Sequence, residues 1–207
     1  MKHQLNYTTL SPSAMLNPVP VVLVSCAAMK EPGKKNMITL AWAGTVNSEP
    51  PMVSVSVRKE RLSHDMIAES GEFVVNLVDE DMCRAVDFCG VRSGRDVDKA
   101  VETGLSYMPA ETMAIAPAVA GAPVSLSCKV HRMLELGSHD MFIGEVTAVM
   151  VRDDLMDKGG TLHLEKARLI AYSHGLYQKL GDVMGFFGWS VARKEVFERR
   201  MSQLCSD

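Results

Sequence analysis

The sequence has no uninterrupted apolar run near the roughly 20 residues that cross a bilayer, which argues against a membrane-spanning helix. It has no excess of positive charge: 22 Lys and Arg stand against 25 Asp and Glu, a net charge of -3. A general nucleic-acid binder would be basic, so none is expected. Residues 1–16 lack an apolar core, so they do not read as a secretory signal, and a cytoplasmic protein is expected. No CxxC pair occurs among the five cysteines, Cys26, Cys83, Cys89, Cys128 and Cys205. An odd count in a chain of this length reads as reduced packing thiols, not a disulfide framework. Cys83, Cys89 and a distant histidine have no recognised metal spacing, so no metal is expected.

Several catalytic signatures are also missing. Gly181, Gly185 and Gly188 do not form GxGxxG, and no strand precedes them in the required way. Gly33-Lys34-Lys35 lacks the upstream glycine and the hydroxyl residue of a P-loop. HExxH and GxSxG do not occur, and no Ser/His/Asp set is recognisable from order alone.

What remains is a chain of 207 residues, 47% hydrophobic, able to bury a sizeable core. Residues 19–29, 37–44, 52–58, 72–78, 124–134, 142–151 and 167–173 read as strands. Residues 52–58 alternate cleanly, with Val53, Val55 and Val57 on one face and Ser54, Ser56 and Arg58 on the other. Asn47 to Pro51 reads as a rigid loop because of its two prolines. Short helices are expected at 63–70, stopped by Gly71, at 80–89, capped by Asp79 and closed by Gly90, and before Gly104. Residues 191–204 read as a further helix. Strands joined by short turns, with few helices, imply a mainly β fold: a β-barrel with short helices.

The chemistry concentrates in residues 36–64. A strand ends there in Arg58, Lys59 and Arg61, with Ser63 and His64 at the start of a helix. Guanidinium forks match phosphate oxygens, and a helix N-terminus adds N–H donors and a favourable dipole. The same residues read equally as a solvated charged turn. Residues 93–99 (Ser93-Gly94-Arg95-Asp96-Val97-Asp98-Lys99) repeat the arrangement before another helix and favour the phosphate. Trp42 and the aromatic run 185–189 are either core or stacking surfaces for a planar ring. His139, followed by Asp140, falls in a turn between two long strands, open to a ligand or to a turn role alone.

The order and spacing of 36–42, 50–58, 71–76, 89–99, 116–117, 139–146 and 172–188 resemble the flavin reductase-like, FMN-binding split-barrel family, close to its flavoredoxin branch. The resemblance spans roughly residues 15–190 of a single domain over 1–207 with a C-terminal extension. It implies a Greek-key split barrel, homodimeric, holding FMN non-covalently. By position, Asn36, Thr39, Ala41 and Trp42 would line the ring and ribityl chain, with Thr45 nearby. Ser56, Val57 and Arg58 would follow the ribityl phosphate, partly through backbone groups. Arg61, Ser63, His64, Ser93 and Lys99 are candidates for the phosphate end. His139 would stand near the open face of the flavin as a possible catalytic group, and Tyr172 and Phe187 would close over the ring.

The activity so implied is an FMN-dependent oxidoreductase. NAD(P)H would be the transient donor, and flavin, ferric iron or a redox protein the acceptor. The alternatives are a flavoredoxin-type carrier reduced by a protein donor, and a flavin- or haem-binding module without turnover.

Overall fold

A computed structural model describes residues 5–204. Twelve strands and four α-helices occur among them. The early strands are β1 (Val19–Pro20), β2 (Val22–Ala27), β3 (Lys35–Leu40), β4 (Ala43–Ser48), β5 (Pro51–Arg58) and β6 (Glu72–Leu77). After β7 (Tyr107–Met108) and β8 (Ala118–Val119) come the long β9 (Val124–Glu135) and β10 (His139–Val151), then β11 (Ile170–Ser173) and β12 (Leu176–Lys179). The helices are α1 (Leu62–Ser70), α2 (Cys83–Val91), α3 (Lys99–Thr103) and α4 (Lys194–Leu204).

Seven strands form one antiparallel sheet in the order β3-β2-β6-β9-β10-β5-β4. Its two edges, β3 and β4, are consecutive in the chain and separated only by Ala41 and Trp42. Three residue steps span at most about 11 Å, so the sheet must curl until its edges approach. The edges do not pair with each other, so the barrel is split there. This is the mainly β barrel with short helices expected from the strand pattern.

The alternation read in β5 sends Val55 and Val57 into the barrel, fully buried beside Phe73, Phe142 and Ile38. Ser56 and Arg58 consequently face outward. α1 adds Leu62, Met66 and Ile67 to the same core. β2 is buried along its whole length because its other face packs under α2, where Val21, Leu23 and Met37 meet Val86 and Cys89. A strand covered on both faces reads as a continuous apolar run instead of an alternating one. Gly144, at a register shift in β10, leaves room for Phe73; a Cβ there would stand 2.5 Å from the ring.

Several expected boundaries move. The strand at 37–44 breaks at Ala41 and Trp42, where the chain crosses the split. The loop at 47–51 is a tighter turn: Asn47 and Ser48 end β4, and Pro51 opens β5, the position in a strand that tolerates proline. Gly71 and Gly104 stop their helices in the left-handed conformation, as expected, but Gly90 lies inside α2, which continues to Val91. Glycine eases the close approach there, since a Cβ would meet that of Thr39 at a tight 3.3 Å. His139 is not in the turn but opens β10, paired with Arg58. The strand expected at 167–173 starts at Ile170, as β11, because Leu164–Ala167 forms a 3-10 turn, and the tail helix starts at Lys194. In the tail, Phe186, Trp189 and Phe197 pack together, and Arg200 lies over Phe186. Cys26, Cys89 and Cys128 are buried free thiols, pushed up by burial to about 12, 11 and 12; Cys205 lies outside the described residues.

Candidate functional site

A cleft of about 260 Å³ opens at the split. One wall is the end of β3 and the crossing itself, where Thr39, Ala41 and a part-exposed Trp42 follow one another. The floor is the outward face of β5, with Ser56 and Arg58. Ser56 N–H donates to the Trp42 carbonyl at 2.9 Å, holding the crossing against this strand. Arg61, just before α1, joins Arg58 to make the lining cationic there, and strand pairing sets His139 beside Arg58. Tyr172 and Tyr177 also line the cleft, their rings edge-to-face at 5.7 Å.

The electrostatics of this cleft are one-sided. Two guanidiniums line it, and no carboxylate does. Arg58 comes no nearer a carboxylate than 3.7 Å, to Glu60. Among the described residues no side chain accepts from Arg61. The N–H groups of Leu62 and Ser63, which open α1, follow it and lack intrahelical acceptors by helix geometry, while His64 N–H donates to the Arg61 carbonyl at 3.0 Å. Burial, reinforced by the Arg58 charge, lowers the His139 imidazole from its ordinary value and favours its neutral form. Its Nδ1 lies 2.9 Å from Ser138 Oγ. The two guanidiniums suit an anion, and the aromatic side chains Trp42, Tyr172 and Tyr177 suit a flat ring.

Other residues named from the sequence lie outside the cleft lining. Asn36 and Ser63 are buried, with Asn36 Nδ2 donating to Ser63 Oγ at 2.9 Å, a tie between β3 and α1. The Val57 side chain is in the barrel core. His64 Nε2 meets the buried Asp140 at 2.8 Å, and its ring packs on Phe142. Ser93 Oγ accepts from Arg95 N–H within its own turn. Lys99 is buried and donates to the carbonyls of Met37 and Cys89, and burial pushes its ammonium down to about 8. Thr45 lines a separate apolar groove with Val53, Leu77 and Leu126. Phe187 is fully exposed and away from the cleft. Sequence reasoning missed Gly90 and Tyr177. The glycine was read as a helix stop, and the tyrosine lies in a short strand defined only by pairing with β11.

A family described as flavin reductase like domain matches residues 15–180. The chain belongs to this family. The match runs from before β1 to the end of β12 and contains every residue that lines the cleft. A protein of Aeropyrum pernix is 31% identical over 183 residues, covering 86% of this chain and 66% of that protein. Among solved structures, flavoredoxin of Desulfovibrio vulgaris superposes with a TM-score of 0.80 at 27% identity, covering 87% of this chain and 97% of that one. Flavoredoxin from Methanosarcina acetivorans gives 0.80 at 28%, covering 88% and 95%. No helix among the described residues is long and apolar enough to cross a membrane.

Proposed function

We propose that this flavin reductase-like protein binds FMN in the cleft and is an oxidoreductase that draws electrons from NAD(P)H and passes them to flavin, ferric iron or a protein acceptor. The observation that carries the reading is the pair of guanidiniums, Arg58 and Arg61, in a carboxylate-free cleft of a net-acidic chain. Unbalanced cations at a helix N-terminus suit a phosphate. Bound FMN would supply the hydride acceptance and electron transfer that no side chain here provides.

The chain's own part is to bind and orient. Arg58, Arg61 and the free N–H groups of Leu62 and Ser63 at the start of α1 would hold the phosphate. Ser56 offers a hydroxyl along the floor, and Trp42 and Tyr172 offer planar faces. The Thr39 hydroxyl proton is committed to the Val86 carbonyl, so its oxygen faces a ligand as an acceptor. His139, whose neutral form is favoured, can donate or accept one hydrogen bond at the open side. A second copy of the chain, docked on the apolar groove beside edge strand β4, would make the homodimer.

The test is the absorption spectrum of the purified protein, before and after anaerobic NADH or NADPH. A flavin band that bleaches faster than its photochemical background is expected. A flavin-free protein that takes up no FMN would overturn the reading.

The likeness to two flavoredoxins favours a second reading, an electron carrier reduced by a protein donor. In that case bound FMN would bleach with a reduced ferredoxin-like protein and only slowly with NAD(P)H.

A further inference from the structure

We propose that Lys99 is a positioning residue, which pins α2 against β3 and so sets the Thr39–Gly90 wall of the cleft without touching the ligand. The proposal rests on the flavin reading for its binding test.

Lys99 is 3% exposed and is not among the residues that line the cleft. Its Nζ donates to the Met37 carbonyl at 2.9 Å and to the Cys89 carbonyl at 2.7 Å. The first acceptor is on β3, two residues before Thr39. The second is in the last turn of α2, immediately before Gly90. Carbonyls at a helix C-terminus lack intrahelical donors, and a cation there also suits the dipole. One ammonium therefore joins the two elements at the residues that carry the wall.

Two further contacts work at the same seam. Thr39 Oγ1 donates to the Val86 carbonyl of α2. Gly90 lets the helix approach so closely that a Cβ would come within 3.3 Å of Thr39 Cβ. Thr39 and Gly90 both line the cleft. The seam behind them is buried and apolar, formed by Met37, Val86 and Cys89. Buried charges are retained where they are fully hydrogen-bonded, and such supporting shells fix the groups in front of them.

A lysine that held the phosphate would act on FMN alone. A lysine that sets the wall acts on any ligand sharing the ring, phosphorylated or not. The experiment is equilibrium binding of FMN and of riboflavin to the flavin-free full chain, comparing the wild type with Lys99→Met and Lys99→Arg. For Lys99→Met we expect both affinities to fall together by about tenfold, the scale on which supporting contacts act. The ratio of FMN to riboflavin affinity then stays at its wild-type value. Lys99→Arg keeps donors for the two carbonyls and is expected to recover part of both affinities. Loss of FMN with riboflavin unchanged would overturn the proposal, as would no change in either.

Gly90→Ala moves the same wall from its other side and leaves the charge in place. It is expected to weaken both flavins in parallel, and it decides the matter if Lys99→Met does not fold; unchanged or FMN-only loss there overturns the proposal. Should the wild type bind neither flavin, the flavin reading fails and the pin is still tested by amide exchange. Faster exchange over residues 86–91 in Lys99→Met supports the pin, and equal exchange overturns it.

Discussion

At the residue scale, the decisive distinction is between cations that face the cleft and cations that serve the fold. Arg58 meets a carboxylate only loosely, Glu60 at 3.7 Å, and Arg61 meets none among the described residues, whereas Lys99 is held by two carbonyls and Arg95 by Asp65 at 2.8 Å. A guanidinium–phosphate contact is a charge-assisted hydrogen bond worth about 1.5–3 kcal/mol. Arg61→Ala is therefore expected to weaken FMN binding by roughly 10- to 100-fold while leaving riboflavin binding near the wild-type value. Fluorescence titration of both ligands reads this directly. Equal FMN affinity in wild type and variant would remove Arg61 from the phosphate site. The imidazoles divide in the same way. His139 lines the cleft beside Arg58, while His64 is taken up by Asp140.

At the element scale, the segment after β10, between the 3-10 turns Asp153–Leu155 and Leu164–Ala167, is closed by a clasp of titratable groups. His163 Nε2 meets Asp157 at 3.1 Å, and its Nδ1 meets Glu165 at 2.9 Å. Asp157 also accepts from the N–H groups of Gly159 and Thr161. The Thr161 N–H, then His163, then the Gly159 N–H hold the Asp157 carboxyl down at about 2, below its usual 3.8. Asp157 and then Glu165 raise His163 above 6.5. A depressed acid stabilises the folded segment above its unfolded value and loses that contribution as pH falls through the folded one. A raised histidine stabilises it below its unfolded value and loses that as pH rises through the folded one. The clasp is thus fully engaged between about pH 3.8 and 6.5. Amide protection of Gly159 and Thr161, corrected for intrinsic exchange, should be greatest in that window. His163→Ala should abolish only the decline on the alkaline side. Flat protection from pH 5 to pH 2 would show that the carboxylate does not order this turn.

At the scale of the whole molecule, the barrel leaves an edge and a groove uncovered. β4 is exposed from Gly44 to Ser48, and beside it Val53, Leu77 and Leu126 line an apolar groove. Unpaired edges and apolar grooves invite association unless they are blocked. The homodimer we propose would bury this region. Sedimentation equilibrium is expected to give twice the chain mass of 22.7 kDa, and Thr45→Arg, at the groove, is expected to shift the population toward monomer. A wild-type mass of one chain across the micromolar range would count against the dimer.

Strand alternation, helix stops at Gly71 and Gly104, and the cationic end of β5 were legible because each depends on neighbours in the chain. Side-chain parity in β5 placed Val55 and Val57 inward and Ser56 and Arg58 outward before any packing was known. The quoted segments also carried the resemblance to the flavin reductase-like family, to which the chain belongs. What packs against each face was not legible. Pairing of β10 with β5 set His139 beside Arg58, and α2 crossing β3 turned Gly90 into a close contact and enclosed Lys99. Local sequence gave Arg58, Arg61, Lys99 and His64 the same appearance. Only tertiary packing separated them, because solvent access and hydrogen-bond partners come from segments distant in the chain, and these decide whether a charge is free to meet a ligand.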